Sequence, residues 1–200
     1  MELYEYISEL KSSRPTPGGG SASAITAMFS ASLNSMASLL SLGKKKLENY
    51  KNDFKKIADD STKYIEDLKV LMKSDEECFS GIMAAFHMDK SDISRPSAIN
   101  NAIESSISVS WDIANISYKN LANALFLCKY GNKNLITDSI SSGYMAYATL
   151  HTSVNNIKIN LKFYTNTDAK LHEMEKLSIF LNQVEEIMKN IRAIEDNINS

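Results

Sequence analysis

Residues that interrupt regular structure are scarce in this sequence. Its 200 residues include three prolines and seven glycines. The two cysteines, Cys78 and Cys128, form no paired motif, which favours free thiols in a reducing, cytoplasmic compartment over a disulfide framework. The formal net charge is −2, so no basic field indicates nucleic acid or an anionic membrane as a partner.

Long stretches rich in Ala, Leu, Ile, Lys and Glu separate these few breakers, and they lack the alternation of a strand. The sequence therefore predicts an all-α protein, with one domain over residues 1–200 folded as an antiparallel bundle of five to six helices. The predicted helices cover residues 2–12, 20–42, 47–86, 94–130, 135–164 and 171–197, with turns at 131–134 and 165–170.

The second predicted helix is uncharged, because no charged residue occurs between Pro15 and Gly43. Its length would allow a membrane span, but its many serines and Asn34 make it too polar to face lipid. We expect a helix that is buried on every side and rich in small residues, ending at Gly43. From that burial we infer a homo-oligomer, with a homodimer as the simplest form.

An aspartate interrupts the apolar seam of the third predicted helix. The seam steps through positions 68, 72, 75, 79 and 82, and position 75 is Asp75. A carboxylate that faces a core is costly unless it is paired, neutralised or beside a wet cavity. Desolvation raises a carboxyl pKa, which suits proton transfer near neutral pH. Asp75 is therefore either an acid–base group or, if the seam drifts by one turn, a surface residue.

The fifth predicted helix has a face that is polar but almost uncharged. It reads Asp138, Ser142, Met145, Thr149, Thr152, Asn156 and Asn160. Exposed faces usually carry lysine and glutamate, so this stripe indicates an interior face. Its side chains bond either to a neighbouring helix or to a ligand.

Three glycines, Gly18, Gly19 and Gly20, precede the uncharged helix. Free main-chain N–H groups at a helix start can bind an anion such as a substrate carboxylate. The lysine and the preceding strand of a phosphate loop are missing, and a tight turn is the other interpretation. The three histidines show no metal-ligand spacing, and no metal site is predicted.

Several motifs, in order along the chain, resemble the C-terminal domain of the formiminotransferase-cyclodeaminase family and its stand-alone relatives. Residues 15–24 read PTPGGGSASA, and residues 40–46 read LSLGKKK, similar to the family's LTxGKKKY. Asp75 with Phe79 resembles its DxxAF helix. Residues 131–138 resemble GNxNxxSD, and residues 156–161 resemble NVxINL.

This resemblance implies a folate enzyme. The implied reaction is cyclodeamination of formimidoyltetrahydrofolate to 5,10-methenyltetrahydrofolate and ammonia. Hydrolysis of methenyltetrahydrofolate on the same scaffold is the alternative, and departures such as Ser41 and Cys78 leave open a non-catalytic module that binds folate or oligomerises. The tetrahydrofolate derivative would be the substrate, with no metal or other cofactor.

The resemblance also implies roles for particular residues. Asp75 would move the proton. The substrate's carboxylate-bearing tail would be held, or its pocket shaped, by the glycine turn and a lysine: Pro17, Gly18, Gly19, Gly20, Ser21 and Lys44. The pterin-like ring would accept or donate hydrogen bonds at Asp138, Asn156 and Asn160.

Overall fold

The computed structural model of the protein describes residues 2–164 and 167–199, and within them it contains helices and no strand. The all-α prediction is confirmed. The α-helices are α1 (Leu3–Leu10), α2 (Gly19–Leu39), α3 (Lys51–His87), α4 (Arg95–Tyr130), α5 (Ile136–Asn160) and α6 (Thr167–Asn199). Two short 3-10 helices, Lys45–Tyr50 and Lys133–Leu135, lead into α3 and α5.

The boundaries differ from the prediction at several places. Helix α2 ends at Leu39 and α5 at Asn160, earlier than the predicted 42 and 164. The chain over Lys45–Tyr50 is a 3-10 helix, so the third predicted helix begins too early as an α-helix. The turn predicted over residues 165–170 is wrong from Thr167 onward, where α6 has begun; residues 165 and 166 lie outside the described part of the chain. Gly43 has a left-handed φ of 75°, but α2 ends before it, so Gly43 belongs to the turn after the helix.

Helix α2 lies against α3, α4 and α5. Its contact faces are made of small residues, and Ala24, Ala27 and Ala31 are fully buried. Small side chains let helix backbones approach closely, which allows polar groups to reach across. The amide nitrogen of Asn34 on α2 donates to the main-chain oxygen of Asn120 on α4 over 2.9 Å. These buried bonds fix how the helices are placed relative to each other.

The opposite side of α2 is open in the single chain. Phe29 is 47% exposed, Met36 36% and Leu39 55%. The expectation that α2 is buried on every side is therefore wrong for one subunit. The small residues of α2 face its neighbours, while its larger apolar residues form a stripe on the outside, and sequence periodicity cannot show which neighbours come from the same chain.

The largest apolar core lies among α4, α5 and α6. A close approach of α6 to α5 depends on Gly143, because a Cβ there would lie 2.8 Å from Cδ1 of Ile191. Within the described residues, no helix is both long enough and apolar enough to cross a membrane.

Candidate active site

A cavity of about 470 Å³ lies where the start of α2 meets α3, α4 and α5. It is bordered by the glycine turn, by Asp75, by two asparagines and by a group of apolar side chains. Its lining residues are Pro15, Thr16, Gly18, Gly19, Gly20, Asp75, Phe79, Ile82, Met83, Phe86, Ser106, Asn156, Ile159, Asn160 and Phe163. Residues from four helices thus meet around one space.

Asp75 is half-buried and borders this cavity, so the interpretation that seam drift places it on the outer surface is wrong. Its carboxylate lies directly against the backbone of Gly20, since a Cβ built on Gly20 would overlap the carboxylate atoms. Burial raises the pKa of Asp75 above its usual value, the main-chain N–H of Ser21 opposes that rise, and the charge of Glu76 adds to it. A raised pKa makes the carboxylate a stronger base than an ordinary exposed aspartate, which suits proton transfer.

Ser21 and Pro17 shape the glycine turn from behind. Both are buried, and neither borders the cavity. The hydroxyl of Ser21 donates to the main-chain oxygen of Gly18 over 3.1 Å and accepts from the Gly18 N–H at 3.3 Å. The two bonds close the turn, while Gly18, Gly19 and Gly20 present main chain to the cavity.

The polar stripe of α5 divides into two parts. Ser142 donates to Oδ1 of Asn34 over 2.8 Å, and Thr149 donates to the main-chain oxygen of Ser23 over 3.2 Å. This half of the stripe binds α5 to α2, as the helix-contact interpretation expects. Asn156 and Asn160, two and three turns further on, border the cavity instead.

The two asparagines present different groups. The Asn160 amide nitrogen donates to Oγ of Ser106 on α4 over 2.9 Å, so the side-chain position is fixed and its amide oxygen is left as an acceptor. The Asn156 amide has both donor and acceptor capacity. Neutral amide groups of this kind suit a heterocycle that carries both N–H donors and ring-nitrogen or carbonyl acceptors.

Two of the predicted residues lie elsewhere in the subunit. Lys44 borders a separate cavity of about 670 Å³, together with Lys45, Lys46, Lys129 and Lys133. Asp138 is half-buried near the start of α5, about 27 Å along the helix axis from Asn156. The structure of one chain does not bring either residue to Asp75.

Apolar residues around the cavity were missed by the sequence analysis as functional residues. Phe79 is 38% exposed, Met83 41%, Ile159 47% and Phe163 51%, and Phe163 meets Phe86 edge-on at 5.6 Å between ring centroids. Exposed apolar side chains that surround a cavity are typical of a site for a planar ligand. In the sequence these residues look like the apolar residues of a helix core. Only their exposure in the folded structure distinguishes them from core residues.

The arrangement combines three chemical abilities. A desolvated carboxyl group can exchange a proton, aromatic edges can hold a flat ring, and main-chain and amide groups can orient it. Within residues 2–164 and 167–199, no three side chains of His, Cys, Asp or Glu come together as a metal-binding group. The site therefore suits acid–base chemistry on a bound ring system.

Comparison with known proteins gives consistent matches over most of the chain. The family model described as formiminotransferase-cyclodeaminase matches residues 2–178. A methenyltetrahydrofolate cyclohydrolase from Methylorubrum extorquens is 29% identical over 179 residues, covering 86% of each chain. A formimidoyltransferase-cyclodeaminase from Gallus gallus is 25% identical over 85% of this chain, and one from Dictyostelium discoideum is 28% identical over 95%. The matched part is 32% and 36% of the length of those two proteins.

A solved structure shares the fold. It is the formiminotetrahydrofolate cyclodeaminase from Thermotoga maritima, with a TM-score of 0.93, 22% identity, and coverage of 100% of this chain and 98% of that one. At this identity the likeness establishes the arrangement of the helices and no more.

Proposed function

Because this chain belongs to the formiminotransferase-cyclodeaminase family, we propose that it is an enzyme of folate one-carbon metabolism. Its proposed reaction is cyclodeamination: a second folate nitrogen attacks the formimino carbon of formimidoyltetrahydrofolate, the ring closes, and ammonia leaves. The products are 5,10-methenyltetrahydrofolate and ammonia.

The observation that carries this proposal is the position of Asp75, a half-buried carboxyl group beside the glycine turn in a cavity with aromatic walls. Ring closure removes a proton from the attacking nitrogen, and the departing nitrogen must gain protons to leave as ammonia. A single carboxyl group can take the proton from the attacking nitrogen and supply it to the departing nitrogen, and solvent supplies the second proton that a neutral formimino =NH group needs, which leaves the methenyl product as a cation. Proton transfer is enough for this reaction, so we propose no resident metal or redox cofactor.

The other residues of the cavity bind and orient. Asn156 and Asn160 would hydrogen-bond the pterin-like ring, while Phe79 and Phe163 cover its faces. Gly18, Gly19 and Gly20 offer main-chain N–H groups at the start of α2, where a helix favours negative charge. This arrangement of binding groups would hold the two reacting nitrogens near attack geometry. Such positioning accounts for a large part of the rate acceleration of a ring closure.

A cyclohydrolase is the second candidate. It is favoured by the relative of that name, because the match covers 86% of both chains. In that reaction water attacks the methenyl carbon in the same cavity, and Asp75 would accept the proton of the water. A module that only binds folate is the remaining possibility.

The purified protein should be assayed with each folate substrate separately, following the near-ultraviolet absorbance of the methenyl product. A rise from formimidoyltetrahydrofolate supports the cyclodeaminase. A loss from methenyltetrahydrofolate without that rise supports the cyclohydrolase, and no change in either, with binding retained, supports the non-catalytic module. Asp75→Asn should lower turnover by about 10²- to 10⁴-fold, the usual contribution of an acid–base group.

The matched control for that variant is Glu77→Gln. Glu77 is an exposed carboxylate two residues from Asp75 on the same helix and does not border the cavity. It should keep wild-type turnover. Equal activity in Asp75→Asn would remove the role assigned to Asp75.

We also propose that the active form is a homodimer paired through the exposed stripe of α2. The stripe is apolar and lies on a helix without charged residues, so a second copy can cover it without burying a charge. A two-fold axis perpendicular to α2 would pair the same patch of both subunits with the two α2 helices antiparallel. Lys44 and Asp138 of each subunit would then lie toward the partner's glycine turn, where they could contact the substrate's carboxylate and ring.

The proposed setting is the cytoplasm. Cys78 and Cys128 are both free thiols, as a reducing compartment would keep them. Folate derivatives are small molecules, and the family assignment gives no reason to expect a nucleic acid or a membrane as a partner.

A further inference from the structure

Tyr6 is the anchor of α1. It is 5% exposed, and the other described residues of that helix are exposed or half-buried. Its hydroxyl lies 2.9 Å from Oγ of Ser21, the residue that closes the glycine turn from behind. A short helix is thus attached to the start of α2 through one buried phenol.

Ser21 has one hydroxyl hydrogen and two lone pairs, and three groups surround them. The Ser21 hydroxyl contacts the main-chain oxygen and N–H of Gly18. Its third contact is the Tyr6 hydroxyl, and either hydroxyl can be the donor. The protonated phenol can therefore complete the hydrogen bonding of Ser21.

The surroundings of Tyr6 keep it protonated. Burial raises the pKa of Tyr6, its bond with Ser21 lowers it, and the nearby charges of Glu76 and Asp75 raise it further. The phenol therefore remains protonated over the whole range in which a carboxyl group titrates.

The contact between Tyr6 and Ser21 is connected to Asp75 through the main chain of Ser21. The side chain of Ser21 is fixed by Tyr6 and Gly18. The Asp75 carboxylate lies against Gly20, the residue that precedes Ser21, and the main-chain N–H of Ser21 lowers the pKa of that carboxyl group. The orientation of that N–H is set by the position of Ser21. A carboxylate held by a correctly placed N–H keeps one position and ionises more readily.

The other groups near Asp75 are few. On α3, burial and the charge of Glu76 raise the pKa of Asp75. Burial and the charge of Asp75 raise the pKa of the Cys78 thiol. The cavity residues that α4 and α5 contribute are uncharged, with Ser106, Asn156 and Asn160 as the polar ones. Residues 15–43 carry no charge. The Ser21 N–H is therefore the contact that favours the ionised form.

We propose that Tyr6 is a positioning residue for the reaction, which fixes Ser21 so that its main-chain N–H holds the Asp75 carboxylate in its working position. The inference rests on the proposed function, in which Asp75 moves the proton. Tyr6 itself does not border the cavity, and it acts through Ser21.

The test uses Tyr6→Phe in the full-length protein, which removes the hydroxyl and keeps the ring. Two quantities are measured: the pH dependence of kcat/KM, and the ionisation of Asp75 by carbon NMR of its carboxyl group. Weakening one hydrogen bond to the carboxylate should move the pKa of Asp75 upward by about half a unit to one unit. The acidic limb of the pH profile should move by the same amount, with KM for folate little changed.

The matched control is Tyr4→Phe. Tyr4 lies on the same helix and is 84% exposed, so the same chemical change should leave both the NMR titration and the pH profile at their wild-type positions. Ser21→Ala is a second route, because it removes the hydroxyl that Tyr6 contacts and keeps the Ser21 main-chain N–H. It should shift Asp75 in the same direction, and the double variant should shift it no further than the larger of the two single changes.

Each outcome decides the proposal. An unchanged titration of Asp75 in both folded variants overturns it, as does a double variant whose shifts simply add. If Tyr6→Phe does not fold, Ser21→Ala is read alone, and an unchanged titration of Asp75 in it overturns the proposal, because that variant removes the Tyr6 contact together with both bonds to Gly18. A shift of Asp75 in a protein that turns over neither folate substrate would keep the linkage from Tyr6 to Asp75 and overturn the proposed function instead.

Discussion

The carboxylate of Asp75 on α3 occupies the space that a side chain at residue 20 would need, so Asp75 and Gly20 fit together only because residue 20 is glycine. Gly20 is buried in the first turn of α2 and its φ is not in the left-handed region. The glycine is therefore required by the close approach of the acid and not by backbone conformation.

The first prediction concerns Gly20→Ala. The added methyl group must displace the Asp75 carboxylate, and a displacement of about 1 Å at a reacting group can cost about 100-fold in rate. Turnover should fall by that order while circular dichroism shows an intact helical fold. Gly81→Ala on α3 is the matched control, because a Cβ there meets nothing within 4 Å and Gly81 does not border the cavity; it should keep both activity and stability. Full activity in Gly20→Ala would contradict the fit between these two residues.

The second prediction is a pH dependence of stability. Burial raises the pKa of Asp75 from the model-compound value of 3.8, so the folded state binds this proton more tightly than the unfolded state. Its contribution to stability is therefore complete below 3.8 and is lost as the pH rises through the raised pKa of the folded state. Urea unfolding of the wild type and Asp75→Asn across this range should show the wild type losing stability relative to the variant as the pH rises. If the free energy of unfolding of the wild type, relative to that of Asp75→Asn, stays constant or increases as the pH rises, the raised pKa of Asp75 is contradicted.

The third prediction tests the α2 interface. Phe29→Asp places a charge in the middle of the exposed stripe, where pairing would bury it without a partner. Light scattering should show a dimer for the wild type and a monomer for the variant. Ile93→Asp is the control, since Ile93 is 96% exposed and lies in the connection between α3 and α4. A monomeric wild-type protein would remove the dimer from the proposal.

The fourth prediction concerns the polar contact inside the bundle. Asn34→Ala removes the donor to the main-chain oxygen of Asn120 and the acceptor for Ser142. Loss of these buried hydrogen bonds between helices should lower the free energy of unfolding by about 1–3 kcal/mol. Asn182→Ala, the same change at an exposed position of α6, should stay within about 0.5 kcal/mol of the wild type. Equal urea midpoints for the two variants would show that the contact does not matter.

The fold was largely predictable because local patterns determine it. Scarce breakers and periodic apolar seams located the helices, and Gly43 marked the turn that follows α2, although the helix itself ends at Leu39. The prediction that α2 is buried on every side was too broad for one subunit. A helix without charged residues is expected to avoid water, but its sequence does not show whether the same chain or a second chain covers it. The 3-10 turn at Lys45–Tyr50 was also missed, since α and 3-10 turns use the same residue types.

The sequence pointed to residues that meet at the cavity where a residue broke its local pattern, and their functional roles stay predictions. Asp75 interrupts an apolar seam, and Asn156 and Asn160 interrupt the usual charge of an exposed face. Residues that share a helix face point in the same direction, but this pattern does not show how far apart they lie along the helix axis. Asp138 lies on the same predicted stripe as Asn160 but about 33 Å away along α5. Phe163 could not be identified, because an apolar residue at a helix end has the same sequence signal whether it covers core or substrate.

The cavity takes its walls from four helices, α2 to α5, and its lining residues run from Pro15 to Phe163, so no single helix or helix pair contains it. Occupancy by a folate is therefore thermodynamically linked to the native state as a whole, and a ligand at 100 times its Kd should add about 2.7 kcal/mol to global stability. Protease resistance and amide-hydrogen exchange throughout the bundle, even in segments remote from the ligand, should then report how much substrate the protein holds.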